Sequence, residues 1–490
     1  MDRYLSASTL RQPDELPEPG LLVGWSLENR RVRRPIGFTY GNPLKNPSTG
    51  YFDPILFDCE GHLMTIAPTG AGKGMGCIVP ALLRYPGPVI VIDPKGENVA
   101  ITARQRKKLG QRVVVIDPMG ITDMPSDTLN PLDAVDIRLT NAVDEVAVLA
   151  QTLSAEARDE RNQYWSSRGM HLCIGAILQT LVDADESGGD LLQVRDLINT
   201  AAADPAKLAD KLLKSPHPEV QRIARTLNIG APETLGGIIS FAQEMVDFLR
   251  GEQIQASVAK TSFDLSDVTR GAPLSIFIVL PPHMLESHGR LLRLWLGALM
   301  SCINRRRARP HHSTLFILDE AAQLGELPQL RQAITLLRGY GLLTWSFWQD
   351  VSQLQMLYPN DWKTMVNNCR VLQCFGPLNK IAADEMAGLT GFMSGDAILD
   401  LHKGEMILQL AGDEAVIAQR PNYSSDAPFQ GLFDVNPYFD ENRAVMPREA
   451  APQHMYARSR PNGEKAPVVA GTIPVEDSFL GELLAKWEKV

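Results

Sequence analysis

The protein has 490 residues, enough for about three domains of ordinary size, and its 44% hydrophobic and 21% charged residues are typical of a globular chain. Its formal net charge of -9 excludes a generally basic nucleic-acid-binding protein, so contact with nucleic acid would require locally basic surface. Six cysteines without Cys-x-x-Cys spacing disfavour a zinc site and indicate free thiols in a reducing compartment. The polar, proline-broken N-terminus predicts no signal peptide, and no stretch approaches the ~20 consecutive apolar residues of a membrane span.

The two ends of the chain are predicted to lie outside the core. Residues 1–50 form a proline-rich lead-in that could contribute a small pair of strands under the core domain. The basic run Arg30–Arg34 in this lead-in is more often a solvated face than a binding site in proteins, and both interpretations stay open. Residues 436–490 form a predicted peripheral tail that ends in a short helix at Asp477–Lys489.

A glycine-rich loop follows the first strong strand pattern. The stretch His62–Pro80 reads HLMTIAPTGAGKGMGCIVP, with an apolar strand-like run before the loop and an apolar helix-like run after it. This order is what a phosphate-binding loop (P-loop) requires, because glycines let successive N–H groups face a phosphate while Lys73 supplies a full charge. A glycine-rich turn that binds no nucleotide is the alternative, and the flanking strand and helix disfavour it.

The loop departs from the usual P-loop pattern at two positions. Ala67 stands where the first glycine belongs, and Gly74 stands where a hydroxyl usually holds Mg²⁺. Thr69 or a water would therefore have to supply that metal ligand. The predicted nucleotide-binding residues are Pro68, Thr69, Gly70, Ala71, Gly72, Lys73 and Gly74.

Further along the chain, apolar runs alternate with helical segments. The runs at Pro88–Asp93 and Arg112–Asp117 are β-branched and each ends in a carboxylate. Continuous runs of this kind, separated by helices, predict a parallel sheet that is buried on both faces. A parallel sheet binds its ligand at the carboxyl ends of the strands, which is where Lys73, Asp93 and Asp117 fall.

A helical region interrupts this alternation. Between about residues 138 and 251 the strand runs disappear and apolar residues recur at helical spacing, which predicts an inserted all-α domain. The P-loop domain would then be discontinuous, comprising residues 51–137 and 252–435. After the insertion, a long predicted helix at Glu286–Arg307 ends in a basic cluster, for which capping of the helix and contact with DNA are both open.

A second acidic motif follows the next strand pattern. In Thr314–Glu320, TLFILDE, an apolar run ends in two carboxylates, as in the metal site of P-loop ATPases. Asp319 would hold Mg²⁺, and Glu320 would polarise the attacking water. A strand that ends in two acids is common by chance, and the preceding P-loop is what favours a functional site here.

Two more polar residues are expected on the same side of the sheet. Gln349 follows the apolar run Leu342–Trp348 and could sense the γ-phosphate or orient the attacking water. Arg338 precedes that run and could reach the nucleotide of a neighbouring subunit as an arginine finger. The alternative for Arg338 is a capping role at a helix end before Gly339.

Several separated motifs together resemble the coupling proteins of type IV secretion, which are the ATPases of conjugative DNA transfer. The motifs are APTGAGKGMGCIVPALL, VIDPKGEN, LDEAAQLGELPQL, LLRGYGL, WQDVSQLQMLY and LHKGEMILQLAGDEAVIAQRP, and the likeness covers most of residues 20–435. The resemblance implies an α/β fold, with a RecA-type P-loop motor domain and an inserted all-α domain, assembled as a homohexamer around a central channel. The resemblance assigns the catalytic roles described above to Lys73, Asp319, Glu320, Arg338 and Gln349.

The same resemblance implies a function and its partners. The chain would hydrolyse ATP with Mg²⁺ to recruit DNA or a relaxase-type nucleoprotein and drive it into a type IV secretion channel, gripping the DNA backbone without sequence preference. A nucleotide-dependent receptor platform for secreted protein cargo and a DNA translocase outside secretion are the alternatives. Most members carry N-terminal transmembrane helices, and none is predicted here. We therefore expect a cytoplasmic protein that contacts the inner membrane only through partner subunits, or the cytosolic part of a longer protein.

Overall fold

The structure is a computed structural model that describes residues 3–17, 20–29, 35–40, 50–58, 60–153, 160–184, 188–227, 232–392 and 394–439. The basic run Arg30–Arg34 and the predicted helix at Asp477–Lys489 lie outside these residues. The strands are β1 (Leu21–Ser26), β2 (Phe38–Tyr40), β3 (Asp53–Phe57), β4 (His62–Ile66), β5 (Val89–Ile92), β6 (Arg112–Ile116), β7 (Leu274–Ile278), β8 (Thr314–Leu318), β9 (Leu342–Trp348), β10 (Cys369–Cys374), β11 (Glu405–Leu410) and β12 (Val416–Gln419).

The α-helices complete the set of regular elements in the described residues. They are α1 (Val79–Arg84), α2 (Glu97–Lys108), α3 (Ala142–Gln151), α4 (Glu160–Asp183), α5 (Leu191–Ala203), α6 (Pro205–Leu213), α7 (Pro218–Leu227), α8 (Pro232–Val246), α9 (Glu252–Ala259), α10 (Leu265–Arg270), α11 (Pro282–Asn304), α12 (Pro328–Leu336), α13 (Val351–Leu357), α14 (Trp362–Asn367), α15 (Lys380–Thr390) and α16 (Gly395–Leu399). None of them is both long and apolar enough to span a bilayer.

All the strands join one sheet in the order β2-β3-β1-β12-β11-β10-β4-β9-β8-β5-β7-β6. The strands from β10 to β6 in this order run parallel, as the apolar runs predicted. Val89 and Val91 of β5 belong to the hydrophobic core on one face of the sheet, and Ile90 and Ile92 to the core on the other. Both faces are therefore buried, which is why the parallel strands read as continuous apolar runs.

Helices cover the two faces of the parallel strands. On one face, α1 and α2 supply residues such as Leu82 and Val99 to the core. On the other face, residues of the inserted helices, including Val146 and Ile177, belong to the same hydrophobic cluster as Ile90. The described residues between β6 and β7 contain helices and no strand, so the predicted α/β fold with a helical insertion is confirmed. The boundaries at residues 138 and 251 stay a prediction.

The antiparallel end of the sheet differs from the predicted lead-in. We expected a small strand pair under the core domain, but β1 and β2 lie on either side of β3 in the main sheet. β1 also pairs with β12, which brings the beginning of the chain beside the segment that follows residue 400. The lead-in thus contributes two strands, which pair with β3 and not with each other, so that their hydrogen bonds are completed within the larger sheet.

Candidate nucleotide site

The glycine-rich loop lies between a strand and a helix, as predicted. β4 ends at Ile66, and a helix starts at Gly74 with one π-helical turn that continues into α1. Gly70 and Gly72 have φ angles of 80° and 90°, in the left-handed region that glycine adopts without steric cost. The loop therefore has the tight backbone that a P-loop needs, with a helix N-terminus directly behind it.

Lys73 is the central side chain of this loop. It is only 8% exposed, and its Nζ atom has no hydrogen-bond partner among the described residues. A buried ammonium group without a partner is costly, and native proteins rarely leave one without a reason. A phosphate group in the loop would supply the missing acceptors and the opposite charge, so the residues present fit a nucleotide.

The register of the central strands determines which residues follow the strand ends side by side. The cross-strand pairs are Ile66–Trp348, Leu318–Ser346 and Leu318–Ile92. The residues that follow these strand ends are Ala67, Gln349, Asp319 and Asp93. The start of the P-loop, both acids and the glutamine thus lie at one edge of the sheet.

Two carboxyl groups at this edge have raised pKa values. Burial raises the pKa of Asp319 to about 6, although the charge of Lys73 lowers it and that of Glu320 raises it further. Burial also raises the pKa of Asp93 to about 7, although the backbone amides of Val99, at 2.9 Å, and of Asn98 lower it. The Asn98 side chain donates a further hydrogen bond to the same carboxyl group at 3.2 Å. Asp93 was not among the predicted site residues, although its position after a buried strand placed it at this edge.

These acids also fit a metal that is bound together with a nucleotide. No group of three or more His, Cys, Asp or Glu side chains in the described ranges is placed to hold a metal ion. Mg²⁺ in nucleotide sites needs only one or two carboxylates, because phosphate oxygens and waters complete its octahedron. Asp319 and Asp93 can supply those carboxylates, whereas Thr69, the second predicted ligand, lies exposed in the loop and stays a prediction.

Glu320 occupies a strained backbone conformation next to Asp319. Its φ and ψ angles are 57° and 55°, and it is the only non-glycine residue with positive φ in the described part of the chain. Its carboxylate accepts a hydrogen bond from the side chain of Gln323. Such strain costs about 1–3 kcal/mol and is concentrated at functional sites, which supports Glu320 as a candidate catalytic group.

Gln349 lies beside the P-loop. The Ala67 amide donates to the carbonyl of Trp348 at 2.8 Å, so Gln349 follows directly where β9 meets the start of the loop. Its own amide donates to the side chain of Gln353 at 3.0 Å, and the residue is half-buried. The predicted position of Gln349 at the carboxyl edge agrees with the structure, while its role stays a prediction.

Arg338 lies at the amino ends of the parallel strands, on the side of the sheet opposite the P-loop. It belongs to a 3₁₀ turn, Leu337–Tyr340, that precedes β9. Burial lowers the pKa of His62 at the start of β4, and the charge of Arg338 lowers it further. The five residues of β4 separate this end from the P-loop by about 16 Å. The expectation that Arg338 shares a side of the sheet with Gln349 is therefore wrong, because one residue precedes β9 and the other follows it. Arg338 cannot serve the nucleotide site of its own chain.

Arg420 is a residue of the site that the sequence did not reveal. It follows β12, and its guanidinium donates hydrogen bonds to the carbonyls of Ala71 and Lys403 and lies 4.5 Å from the ring centroid of Phe375. A Cβ atom at Gly76 would lie 2.6 Å from the Arg420 side chain, so that glycine makes room for it. Arg420 lies in the last of the motifs that carry the resemblance, but the motif does not reveal its contact with the P-loop, because Ala71 lies 349 positions away in the sequence.

Two kinds of known protein are similar to this chain. Conjugal transfer protein TraG of Escherichia coli is 27% identical over 363 residues, which are 70% of this chain and 57% of TraG. The type IV secretion system-coupling protein VirD4 of Bartonella quintana is 24% identical over 397 residues, which are 79% of this chain and 58% of VirD4. The chain therefore spans less than two thirds of the length of these relatives.

The fold is shared with solved structures of plasmid coupling protein TrwB. The structure with a non-hydrolysable ATP analogue has a TM-score of 0.60 at 16% identity, covering 88% of this chain and 99% of TrwB. The structure with ADP and Mg²⁺ has a TM-score of 0.57 at 17% identity, covering 76% and 88%. At these identities the likeness concerns the fold alone.

The family assignment rests on the match to a family model. Residues 27–394, most of the chain, match the family described as "Type IV secretory system Conjugative DNA transfer". This span contains the P-loop, the acidic strand end, Arg338 and Gln349. The chain belongs to the type IV secretory system conjugative DNA transfer family.

Proposed function

We propose that this chain is an ATP-hydrolysing coupling protein that drives DNA, or a DNA–protein complex, into a type IV secretion channel. The observation that carries the proposal is the buried, unpartnered ammonium of Lys73 at the edge of the sheet where Asp319 also lies. TraG and VirD4 are named for conjugal transfer and for coupling to secretion, and TrwB was solved with ADP and Mg²⁺ and with an ATP analogue. These names support the same role for the present chain.

Each residue of the site has a part in this proposal. The amides from Gly70 to Gly74 and the Lys73 ammonium hold the phosphates, and Asp319 and Asp93 supply carboxylates for Mg²⁺. Mg²⁺, when bound, neutralises phosphate charge. Glu320 accepts a hydrogen bond from the attacking water and polarises it, and Gln349 orients that water beside the P-loop.

Arg338 acts between subunits in this proposal. Because it lies about 16 Å from the P-loop of its own chain, its guanidinium can stabilise transition-state charge only in a neighbouring copy. A closed ring, such as a homohexamer, places this end of one copy against the nucleotide site of the next. Turnover then moves loops that grip the DNA backbone electrostatically and without sequence preference.

The test is ATP turnover by the wild type and by Glu320→Gln, with and without single- and double-stranded DNA, with the mass recorded on the same samples. We expect turnover that DNA stimulates in a large oligomer and that falls at least about 100-fold in Glu320→Gln. The same substitution at Glu385 on α15 serves as the control and should leave turnover unchanged. An assembled, DNA-bound ring that does not hydrolyse ATP would overturn the motor role and favour a receptor platform for protein cargo.

A further inference from the structure

The basic cluster after α11 binds a different segment of the chain. Arg309 donates from Nε to the Gly339 carbonyl and from Nη2 to the Arg338 carbonyl, both at 2.9 Å. Arg306 donates from Nη1 to the carbonyls of Tyr340 and Gly341, both at 3.0 Å. Two arginines thus bind four consecutive carbonyl groups, from Arg338 in the turn to Gly341 directly after it. These hydrogen bonds go to the segment 338–341 and not to the carbonyl groups of the helix that the two arginines follow.

The two arginines differ in their burial. Arg306 is 6% exposed and also donates to Thr314 Oγ1 at 2.7 Å and to the Val268 carbonyl at 2.8 Å, so it anchors this end of the sheet. The side chain of Arg309 is 42% exposed, and its remaining contact is an ion pair with Glu60. Removing Arg306 would leave buried carbonyls without donors, whereas removing Arg309 affects mainly the turn.

The side chain of Arg338 is held much less firmly than its backbone. It is 51% exposed, and its Nε atom lies 3.8 Å from Glu60 Oε2, in an ion pair that Glu60 shares with Arg309. An exposed pair at this distance is weak, so the guanidinium can leave Glu60 for a stronger anion. Leu336 and Tyr340 beside it are 66% and 40% exposed, which provides apolar surface for a second copy of the chain.

We propose that Arg309 is a positioning residue that presents Arg338 to the nucleotide bound by the neighbouring copy. The inference rests on the proposed action of Arg338 between subunits and extends it. The planar fork of Arg309 fixes two successive carbonyls, those of Arg338 and Gly339, which sets the direction from which the Arg338 side chain leaves the turn. A finger fixed before the reaction loses less conformational freedom in the transition state, so the contribution of Arg309 appears in kcat.

The direct test compares Arg309→Ala with Arg307→Ala, an exposed arginine of the same cluster. In ATP turnover with DNA, we expect kcat of Arg309→Ala to fall about tenfold while KM for ATP changes less than about twofold, because its own P-loop is intact. Arg307→Ala should match the wild type. Arg309→Lys keeps the charge but loses the fork, so it should recover less than half of the lost rate. This variant carries the test if Arg309→Ala fails to assemble.

Mixed assemblies test whether the defect acts between subunits. A Glu320→Gln copy keeps an intact Arg309 and Arg338, and an Arg309→Ala copy keeps an intact nucleotide site. Mixing the two should restore turnover above the sum of the separate proteins, and Arg338→Ala mixed with Glu320→Gln should do the same. The double variant Arg309→Ala/Arg338→Ala should be no slower than Arg338→Ala, because one residue acts through the other.

The outcomes separate this inference from the proposed function. If Arg338→Ala is inactive and Arg309→Ala turns over like Arg307→Ala, the positioning role of Arg309 is overturned and the proposed function stands. If Arg309→Ala is slow but no mixture with Glu320→Gln restores turnover, the defect lies in its own site and the inference is again overturned. If the assembled wild type does not hydrolyse ATP, the proposed function fails, and the inference fails with it.

Discussion

The guanidinium of Arg420 donates a hydrogen bond to the carbonyl oxygen of Ala71, so a residue that follows β12 holds the P-loop. The same guanidinium donates to the Lys403 carbonyl at 3.1 Å and lies over the ring of Phe375. The antiparallel end of the sheet is thereby connected to the loop that we propose binds nucleotide. A substitution in the antiparallel strands can therefore change the conformation of the P-loop without contacting the loop directly.

Replacing Arg420 should weaken nucleotide binding. Arg420→Ala loses charge-assisted hydrogen bonds, each of which contributes about 1.5–3 kcal/mol, so we expect the Kd for a fluorescent ATP analogue to rise at least about tenfold. Arg104→Ala is the matched control, because Arg104 also donates to loop carbonyls, those of Gly431 and Phe433, away from the P-loop. Equal Kd values for the two variants would contradict a role of Arg420 at the P-loop.

Replacing Lys73 should separate binding from folding. Lys73→Met removes a buried ammonium without a partner, so the nucleotide-free protein should be as stable as the wild type or more stable, by about 1 kcal/mol. The stabilisation by ADP and Mg²⁺ should be lost, because the phosphates lose their cation. Thermal unfolding with and without nucleotide checks both, with Lys207→Met on α6 as the control. A clearly less stable nucleotide-free Lys73→Met would show that the ammonium has a structural partner.

Asp93 should make the nucleotide-free protein less stable as the pH rises. Burial raises its pKa to about 7, so between about pH 4 and 7 the folded chain keeps a proton that the unfolded chain has lost. Stability falls with pH wherever the folded state binds more protons, so this contribution is lost as the pH rises towards 7. Asp93→Asn should remove this dependence and raise the free energy of unfolding at pH 8 by about 4 kcal/mol, which corresponds to a pKa shift of about three units.

Denaturant unfolding of the nucleotide-free protein without Mg²⁺ at pH 5 and pH 8 measures this effect. The same substitution at the exposed Asp144 on α3 is the control, and its curve should run parallel to that of the wild type. A pH dependence in Asp93→Asn equal to that of the wild type would show that another group is responsible.

A substitution at Gly74 tests whether the site lacks the Mg²⁺-binding hydroxyl that P-loops usually carry at this position. A Cβ atom at Gly74 would meet nothing within 4 Å, so a serine fits there without displacing a neighbour. Gly74→Ser should restore the usual metal ligand and lower the Mg²⁺ concentration for half-maximal turnover by about tenfold. Gly74→Ala is the control, since it adds the Cβ atom without the oxygen. An identical Mg²⁺ dependence for both variants would show that another group, such as Thr69 or a water, already fills that position.

The local sequence was enough to predict those elements and motifs whose residues are adjacent in the chain. The apolar runs of β5 and β8 predicted buried parallel strands because both faces of each strand must be apolar when helices cover the sheet. The loop around Lys73 was predictable because its glycines and its flanking strand and helix are adjacent in sequence. Asp319 and Glu320 followed for the same reason, since the strand and its terminal acids form one motif.

Only the tertiary structure decided the contacts between distant segments. Arg420 meets Ala71 across 349 positions of sequence, and no periodicity records such a contact. The turn around Arg338 lies at the far end of β9 from Gln349, although the two residues are only eleven positions apart, because an extended strand separates its ends by about 3.3 Å per residue. The arginines after α11 read as a simple cationic run, and only the packing of the sheet end on that helix brings Arg309 to the carbonyls that position Arg338. Composition and spacing identify a charged group, but its partner is fixed by which strands and helices pack side by side.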